Sequence, residues 1–435
     1  MDFLPDDLQD TLDRFTLGKF NVWIVGGALR DLLWGWAPRD WDLATSASPQ
    51  QVIAMFPRVI PIGLRHGTVQ VHAGETKIEV TSCPGGGLEG IVADLKRRDF
   101  TVNALALSYP EGQLLDPFGG QQDLLSKILR AVDDAPARFR EDPLRTLRAG
   151  RFISVYGFHL DRETFEALSV AARELYRVSH ERIREELFKM LPGDYFPDAF
   201  GWMVRGGVMQ EILPEVVASS READQQCNHA EMLEHTVKAV HCSPPRLRVR
   251  LAALFHDLAG LAKQNPDLEA RRDQSRFRQS AMVAAEIMRR LRTSRKEELG
   301  VASLVEKQVP DGVETWTEAE VRRFMAWTGE DLLDDVMALA YAERMTREDN
   351  NRSLRALEGL RSRISQEQER KRPLRIQDLA INGRDVMTIL SINPGPLVGQ
   401  LLQSLHRQVL ADPTLNEPKI LMDFLVKEYD IRFQS

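Results

Sequence analysis

Near residue 130 the apolar pattern of this chain changes period, and that change limits the possible folds more than any single motif does. Before it, short apolar and β-branched runs lie between turn residues, and Asn21–Val25, Gly67–His72, Thr76–Val80 and Gln113–Asp116 read as strands. From Pro143 onward apolar positions recur every three or four residues, as in Leu144 to Phe152, Thr164 to Ala172 and Ile183 to Leu191, which is the spacing of amphipathic helices. The expectation is an α/β head, a small mixed sheet with helices, followed by an all-α neck, body and tail. The boundaries fall at 1–130 for the head, 131–192 for the neck, 193–370 for the body and 371–435 for the tail. Breaks at Pro192-Gly193-Asp194, Asn265-Pro266-Asp267 and the charged run Glu367 to Arg375 punctuate the helical part.

Composition narrows the class. At 435 residues and 43% apolar content the chain can bury several cores. No window is long and apolar enough to span a bilayer, and the first residues lack a basic stretch followed by an apolar run, so a cytoplasmic location and no membrane partner are expected. Cys83, Cys227 and Cys242 are far apart and predict neither a disulfide framework nor a structural zinc site. A net charge of −7 excludes a uniformly basic nucleic-acid binder but not a local basic face. Arg138, Arg140, Arg145, Arg148 and Arg151 crowd one segment, and Arg246, Arg248 and Arg250 another. Either could also be a solvated helix face. Oligomeric state is not legible.

The chemistry concentrates early. The strand ending at Val25 runs into Gly26-Gly27 and then a helix carrying Arg30 and Asp31. Glycines there let backbone amides approach a phosphate at a helix N-terminus, although the same pair can be a plain turn. Asp40 and Asp42 follow. If Arg39 to Leu43 is extended, side chains at i and i+2 leave the same face, so both carboxylates converge. Such a pair suits two divalent cations and phosphoryl transfer, with one ion activating an attacking hydroxyl and the other neutralising the leaving pyrophosphate.

Further segments carry a family resemblance. Val25 to Leu33, Arg39 to Thr45 and Arg97 to Ala104 resemble motifs A and B of the class II tRNA nucleotidyltransferase and bacterial poly(A) polymerase family. Asp116-Pro117-Phe118-Gly119-Gly120 with Asp123-Leu124 is similar to its next signature, Glu141-Asp142-Pro143-Leu144-Arg145 to its base-reading motif D, and Ser179-His180-Glu181-Arg182-Ile183 to motif E. Asn382-Gly383-Arg384-Asp385 and Pro394-Gly395-Pro396 look like the family's tail. The resemblance implies a nucleotidyltransferase fold for the head, Mg2+ held by Asp40 and Asp42, and tRNA and CTP, with ATP open, as partners. It implies nucleotide contacts at Gly26, Gly27, Arg30, Arg98, Asp99, Asn103, Asp142, Arg145 and Arg148. Glu79 is a third acidic candidate or an outward-facing strand residue.

Base choice would rest on Asp142 and Arg145, three residues apart at a helix start near Pro143. An ionised Asp accepts from an exocyclic amine while Arg donates to ring acceptors, which fits cytosine or adenine and rejects uracil. Family members that add the final A carry a flexible loop before motif B. Here Val80 to Ala93 is short, which resembles the CC-adding branch, and a segment too short to reach cannot reorient the template. The expected activity is addition of the two Cs of the tRNA CCA end, with a complete CCA-adding enzyme and a poly(A) polymerase as alternatives. A more distant one is an HD-type phosphohydrolase: His235-Thr236 and His256-Asp257 resemble the start of its metal site, but Arg276 and Gln308 stand where histidines are expected. In the tail, Pro394-Gly395-Pro396, Lys371, Arg372 and Arg384 form either a phosphate-contacting surface or a capped terminal helix.

Overall fold

The structure, a computed structural model, describes residues 4–38, 40–63, 67–83, 87–219, 229–259, 276–347, 350–370 and 373–433. Arg39, Gly85, Gly86, Cys227, Pro266, Lys371 and Arg372 therefore lie outside the described residues. The described chain forms two compact units, Met1–Pro214 and Glu215–Ser435. The first takes in the expected head and neck and the opening of the expected body.

The head runs α1 (Asp6–Leu17), β1 (Val22–Val25), α2 (Gly26–Leu33), β2 (Trp41–Thr45), α3 (Pro49–Met55), β3 (Val59–Gly63), β4 (Thr68–Ala73), β5 (Thr76–Ser82), α4 (Gly87–Lys96), β6 (Ala106–Tyr109), β7 (Leu114–Leu115), α5 (Gly120–Leu125) and β8 (Ile128–Leu129). One seven-stranded sheet orders them β3-β4-β5-β2-β1-β6-β7. Among the described residues of this sheet only β2 and β5 pair in parallel, with Asp42 opposite Glu79. β1 sits inside the sheet and is buried along its whole length. Its alternation sends Val22 and Ile24 into a core with Leu8, Leu12 and Phe15 of α1, and Trp23 and Val25 into a second core with Ile91 and Leu95 of α4. Strands buried on both faces read as unbroken apolar runs, which is why β1 was legible in the sequence. β3 and β6, which carry a proline and a small residue early on, were not.

The neck continues with α6 (Ala135–Glu141), α7 (Arg145–Tyr156), β9 (His159–Leu160), α8 (Arg162–Ala171), α9 (His180–Met190) and α10 (Phe196–Arg205). At Gly150 of α7 a side chain would meet Met190 and Met203 sulfurs at 2.9 and 3.0 Å, so glycine permits the close packing of α7 on α9 and α10. Ser154 Oγ ties the same helices by donating to the Met190 carbonyl at 2.6 Å. The chain passes through α11 (Val208–Ile212) and α12 (Pro214–Ser219).

The second unit is helical in all its described elements: α13 (His229–Cys242), α14 (Leu247–Phe255), α15 (Arg276–Arg290), α16 (Arg295–Glu306), α17 (Glu318–Thr328), α18 (Glu330–Arg344), α19 (Asn350–Glu369), α20 (Gly383–Leu390), α21 (Pro396–Ala411) and α22 (Pro418–Phe433). Its last helices enclose a core of Val386, Leu401, Leu405, Val409, Leu421 and Leu425. Arg322 of α17 donates to the Leu410 and Ala411 carbonyls at 2.8 and 2.9 Å and pairs with the fully buried Glu367 at 3.3 Å. That guanidinium satisfies carbonyls that the end of α21 leaves open. No helix among the described residues is long and apolar enough to cross a membrane.

Candidate active site

The acidic edge follows from strand parity. On β2, Trp41 and Leu43 point into the α1 core, so Asp42 points to the opposite face, where its parallel neighbour Glu79 is exposed on β5. Asp40 differs from expectation: β2 begins at Trp41, and Asp40 is an exposed residue in the bend before it. The paired register reaches only to Trp41 opposite Ile78, so nothing extends Asp40 as strand.

Gly26 makes the close approach possible. It adopts φ +67, and a Cβ there would lie 2.7 Å from Asp42 Oδ2 and 2.8 Å from Arg98 Nη1. The Gly27 amide donates to Asp42. Burial pushes the Asp42 carboxyl up to about 6; Arg98 and the Gly27 amide oppose that rise, and Glu79 and Asp40 add to it. A carboxylate whose ionisation is opposed by burial and by two neighbouring carboxylates fits a divalent cation, whose charge removes that cost. Among the described residues, however, no three His, Cys, Asp or Glu side chains already stand close enough to hold one.

A cavity of about 310 Å³ opens beside this edge. It draws Gly26, Gly27, Asp42 and Arg98 from the head, Asp99 and Asn103 from the segment after α4, and Asp142, Leu144, Arg145, Arg148 and Arg182 from the neck. Most of the expected nucleotide residues thus share one space, of a size common to small-molecule sites. Arg30 does not line it. Its guanidinium is spent on Asp31 at 2.6 Å, Asn103 Oδ1 at 2.9 Å and the Tyr156 hydroxyl at 2.7 Å, with the Tyr156 ring 4.4 Å away. Arg30 therefore orients Asn103 from behind.

Asp99 is likewise a fastening. Its Oδ1 accepts from the Phe100 amide at 2.8 Å and Asn103 Nδ2 at 3.0 Å, and its Oδ2 from Arg148 Nε and Nη2 at 2.8 and 2.5 Å. Burial alone would push this carboxyl up; Arg148 and those bonds overcome it and hold it well below the usual range. Arg148 continues to the buried Glu186, 3.7 Å away, which Arg151 approaches to 3.2 Å. Arg98 donates to Asp94 Oδ2 at 3.1 and 3.2 Å, which leaves its Nη1 facing Gly26.

The pair expected to read the base, Asp142 and Arg145, is built differently from expectation. α7 starts at Arg145, and Asp142 is the residue that ends α6. Asp142 Oδ1 accepts from the Leu144 amide at 3.2 Å and Oδ2 from Arg182 Nη2 at 2.8 Å. Arg145 Nη1 donates to the Arg138 carbonyl at 2.8 Å and Glu141 at 3.3 Å, and Nη2 to the Arg97 carbonyl at 2.7 Å. Among the described residues its Nε–H and one Nη2–H have no partner. Arg182 was not singled out as a site residue, although it lies inside the motif at 179–183. Only the packing of α9 on α7 brings it to Asp142.

Elsewhere, His235 Nε2 and His256 Nε2 stand 3.2 Å apart, and Arg276 clasps Asp257 at 2.5 Å. Gln308 Nε2 donates to the His256 carbonyl at 3.0 Å. A guanidinium thus neutralises the carboxylate that the distant alternative would use for metal. In the tail Asn382 Oδ1 caps α20 by accepting from the Arg384 amide at 2.8 Å, and Asp385 accepts from the Asn382 amide at 2.8 Å. The Asn382 to Asp385 pattern is a capping box.

Comparison with known proteins places these features. Residues 22–84 and 88–130 match the Poly A polymerase head domain, 157–219 the probable RNA and SrmB-binding site of polymerase A, and 277–425 the putative tRNA nucleotidyltransferase domain 2. The CCA-adding enzyme of Geobacillus stearothermophilus is 31% identical over 428 residues, 94% of this chain and 93% of that protein. The CC-adding tRNA nucleotidyltransferase of Shouchella clausii is 40% identical over 205 residues, 47% of this chain and 53% of it. The CCA-adding enzyme of Geobacillus thermodenitrificans is 41% identical over 202 residues, so the chain spans about half the length of these two more identical relatives. Among solved structures, the Bacillus stearothermophilus CCA-adding enzyme in complex with CTP superposes with a TM-score of 0.74 at 27% identity, covering 99% of this chain and 100% of that one. The Thermotoga maritima CCA-adding enzyme complexed with tRNA shares the fold, with a TM-score of 0.64, 20% identity and 98% and 96% coverage. With similarity running along nearly its whole length, the chain belongs to the tRNA nucleotidyltransferase and poly(A) polymerase family.

Proposed function

We propose that this protein adds the two cytidines of the CCA end to tRNA, taking them from CTP. The observation that carries the reading is the cavity in which Asp42, from the acidic edge, and the Asp142/Arg145 pair face the same space. Asp40 and Asp42 would hold Mg2+, with Glu79 beside them; when bound, the ion supplies positive charge that favours the ionised 3′ hydroxyl and stabilises departing pyrophosphate. The Gly26 turn brings the start of α2 up to phosphate, with the Gly27 amide already donating to Asp42. Arg98 adds charge there, and Asn103, oriented by Arg30 and Asp99, presents its amide to the sugar. Arg148 holds Asp99 in turn.

Cytosine offers an amine to Asp142 and two acceptors to Arg145, whose Nε–H and remaining Nη2–H are the donors available. Uracil presents a carbonyl to the carboxylate instead and is rejected. The absence of a final A rests on the link between β5 and α4: only residues 83–86 separate them, because 87–96 coil into helix rather than loop. The head-domain match is interrupted at this place as well. A link of roughly 14 Å at full extension leaves the template in one setting.

The test uses tRNA lacking CCA, incubated with CTP, ATP or both and sized at nucleotide resolution. Two-nucleotide growth with CTP and no further growth with ATP is expected. Three-nucleotide growth with both would replace this reading by complete CCA addition, which most of the compared relatives carry in their names. Long tails from ATP alone would indicate poly(A) synthesis.

A further inference from the structure

The turn between α2 and β2 carries two indoles that the chemistry above does not use. Trp34 and Trp36 lie nearly parallel, 9° apart with ring centroids at 5.0 Å, and both stack on Tyr156 at 5.8 Å. The inner side of this three-ring cluster is anchored. Trp34 packs on the buried Phe158, and Tyr156 is held through its hydroxyl by Arg30. The Trp36 amide donates to the Asp31 carbonyl at 2.8 Å, which fixes the turn. The outer end faces water: Trp36 is 48% exposed.

An aliphatic side chain would close this cluster as well, at less exposed apolar cost. A rigid indole projecting from a stack has a different use, because a planar π-face accepts any nucleobase. Position selects the occupant. Trp36 stands four residues before Asp40, so at most about 14 Å of chain separates them. An RNA that brings its 3′ hydroxyl to Asp40 and Asp42 has its next few bases within that radius, at about 3.4 Å per stacked nucleotide.

We infer that the open face of Trp36 is a stacking platform for an unpaired base of the acceptor RNA, close to its 3′ terminus. This rests on the 3′-end extension proposed above. The bound base adds a fourth ring to the Tyr156, Trp34 and Trp36 cluster, on the exposed indole, and holds the terminal hydroxyl at the acidic edge without reading sequence. The CTP base, which faces Asp142 and Arg145, does not use it.

The test compares Trp36→Leu, which keeps apolar packing on Trp34 but has no π-face, with Trp36→Phe, which restores one. Each full-length variant is assayed on tRNA lacking CCA and on the same tRNA with 2-aminopurine near its 3′ end. The expected result for Trp36→Leu is a rise of about fivefold or more in KM for tRNA, with KM for CTP near wild type. Wild type and Trp36→Phe quench 2-aminopurine on binding, and Trp36→Leu does not. Equal KM for tRNA and equal quenching in Leu and Phe variants would overturn the inference and leave the indole a packing or protein contact. Failure of the wild type to extend the RNA would instead remove the proposed function.

Discussion

Replacing Arg148 by Ala tests the joint between the neck and the wall of the cavity. The wild-type guanidinium places two donors, at 2.8 and 2.5 Å, on one oxygen of Asp99, a residue only 7% exposed. Removing one partner of a buried pair strands the other charge, which costs about 3–5 kcal/mol. The Arg148 side chain is 32% exposed, so water recovers part of the loss and about 3 kcal/mol is expected. Asp99→Asn in the same background removes the stranded charge, so the double variant should be more stable than Arg148→Ala alone. Urea unfolding followed by tryptophan fluorescence measures this, since Trp23, Trp34, Trp36, Trp41 and Trp202 lie in the same unit as the pair. The pH dependence gives a second arm. A carboxyl depressed on folding contributes stability that is present above its unfolded pKa, near 4, and lost as pH falls through the lower folded value. Without Arg148, burial pushes Asp99 up, so the penalty is largest at pH 7.5 and shrinks towards pH 4.5 as the carboxyl protonates. A penalty below about 1 kcal/mol, one equal at both pH values, or a double variant no more stable than the single one would refute the reasoning.

Three further outcomes follow from the site. Asp42→Asn should cut incorporation by at least about a thousandfold and yet raise the melting temperature of metal-free protein above pH 6. The raised carboxyl binds its proton more tightly when folded, so its destabilising effect grows between pH 4 and about 6 and is absent below; an unchanged melting curve at pH 8 would count against the clustered charge. Gly26→Ala puts a side chain at positive φ and into Asp42 and Arg98, costing about 1–2 kcal/mol. Activity should fall far more than stability, and kinetics near wild type would show that the approach is not needed. Arg145→Ala should reduce the preference for CTP over UTP by about ten- to hundredfold, read from competing incorporation, whereas intact selectivity would move base reading elsewhere.

The α/β head and helical remainder were legible because burial writes its period into the chain: β1 as an unbroken run, α7 to α9 as recurring apolar positions. Gly26-Gly27 and the acidic residues stood out as candidates because phosphate and cation chemistry permits few substitutes. The sequence said least where a residue's surroundings depend on a distant partner. Arg30 and Asp99 read as substrate contacts, since charge next to a phosphate turn has that meaning in one dimension. Folded, each meets groups from elsewhere in the chain, Arg30 with Asn103 and Tyr156, Asp99 with Arg148; Arg30 sits behind the cavity, while Asp99 lines it and braces it as well.

The same reasoning covers what sequence missed. Arg182 lay inside a recognised motif, but its contact with Asp142, 40 residues away, exists only because Gly150 lets α9 settle on α7. Val80 to Ala93 read as a short loop, yet from Gly87 the chain forms the helix Gly87–Lys96, whose Ile91 and Leu95 complete the core under Trp23. Sequence by itself determined which chemistry this protein can hold, because residue type and local spacing set charge, reach and strand face. Tertiary structure alone decided which of those groups face the cavity and which brace it, since a guanidinium or carboxylate takes its role from the partners that packing delivers.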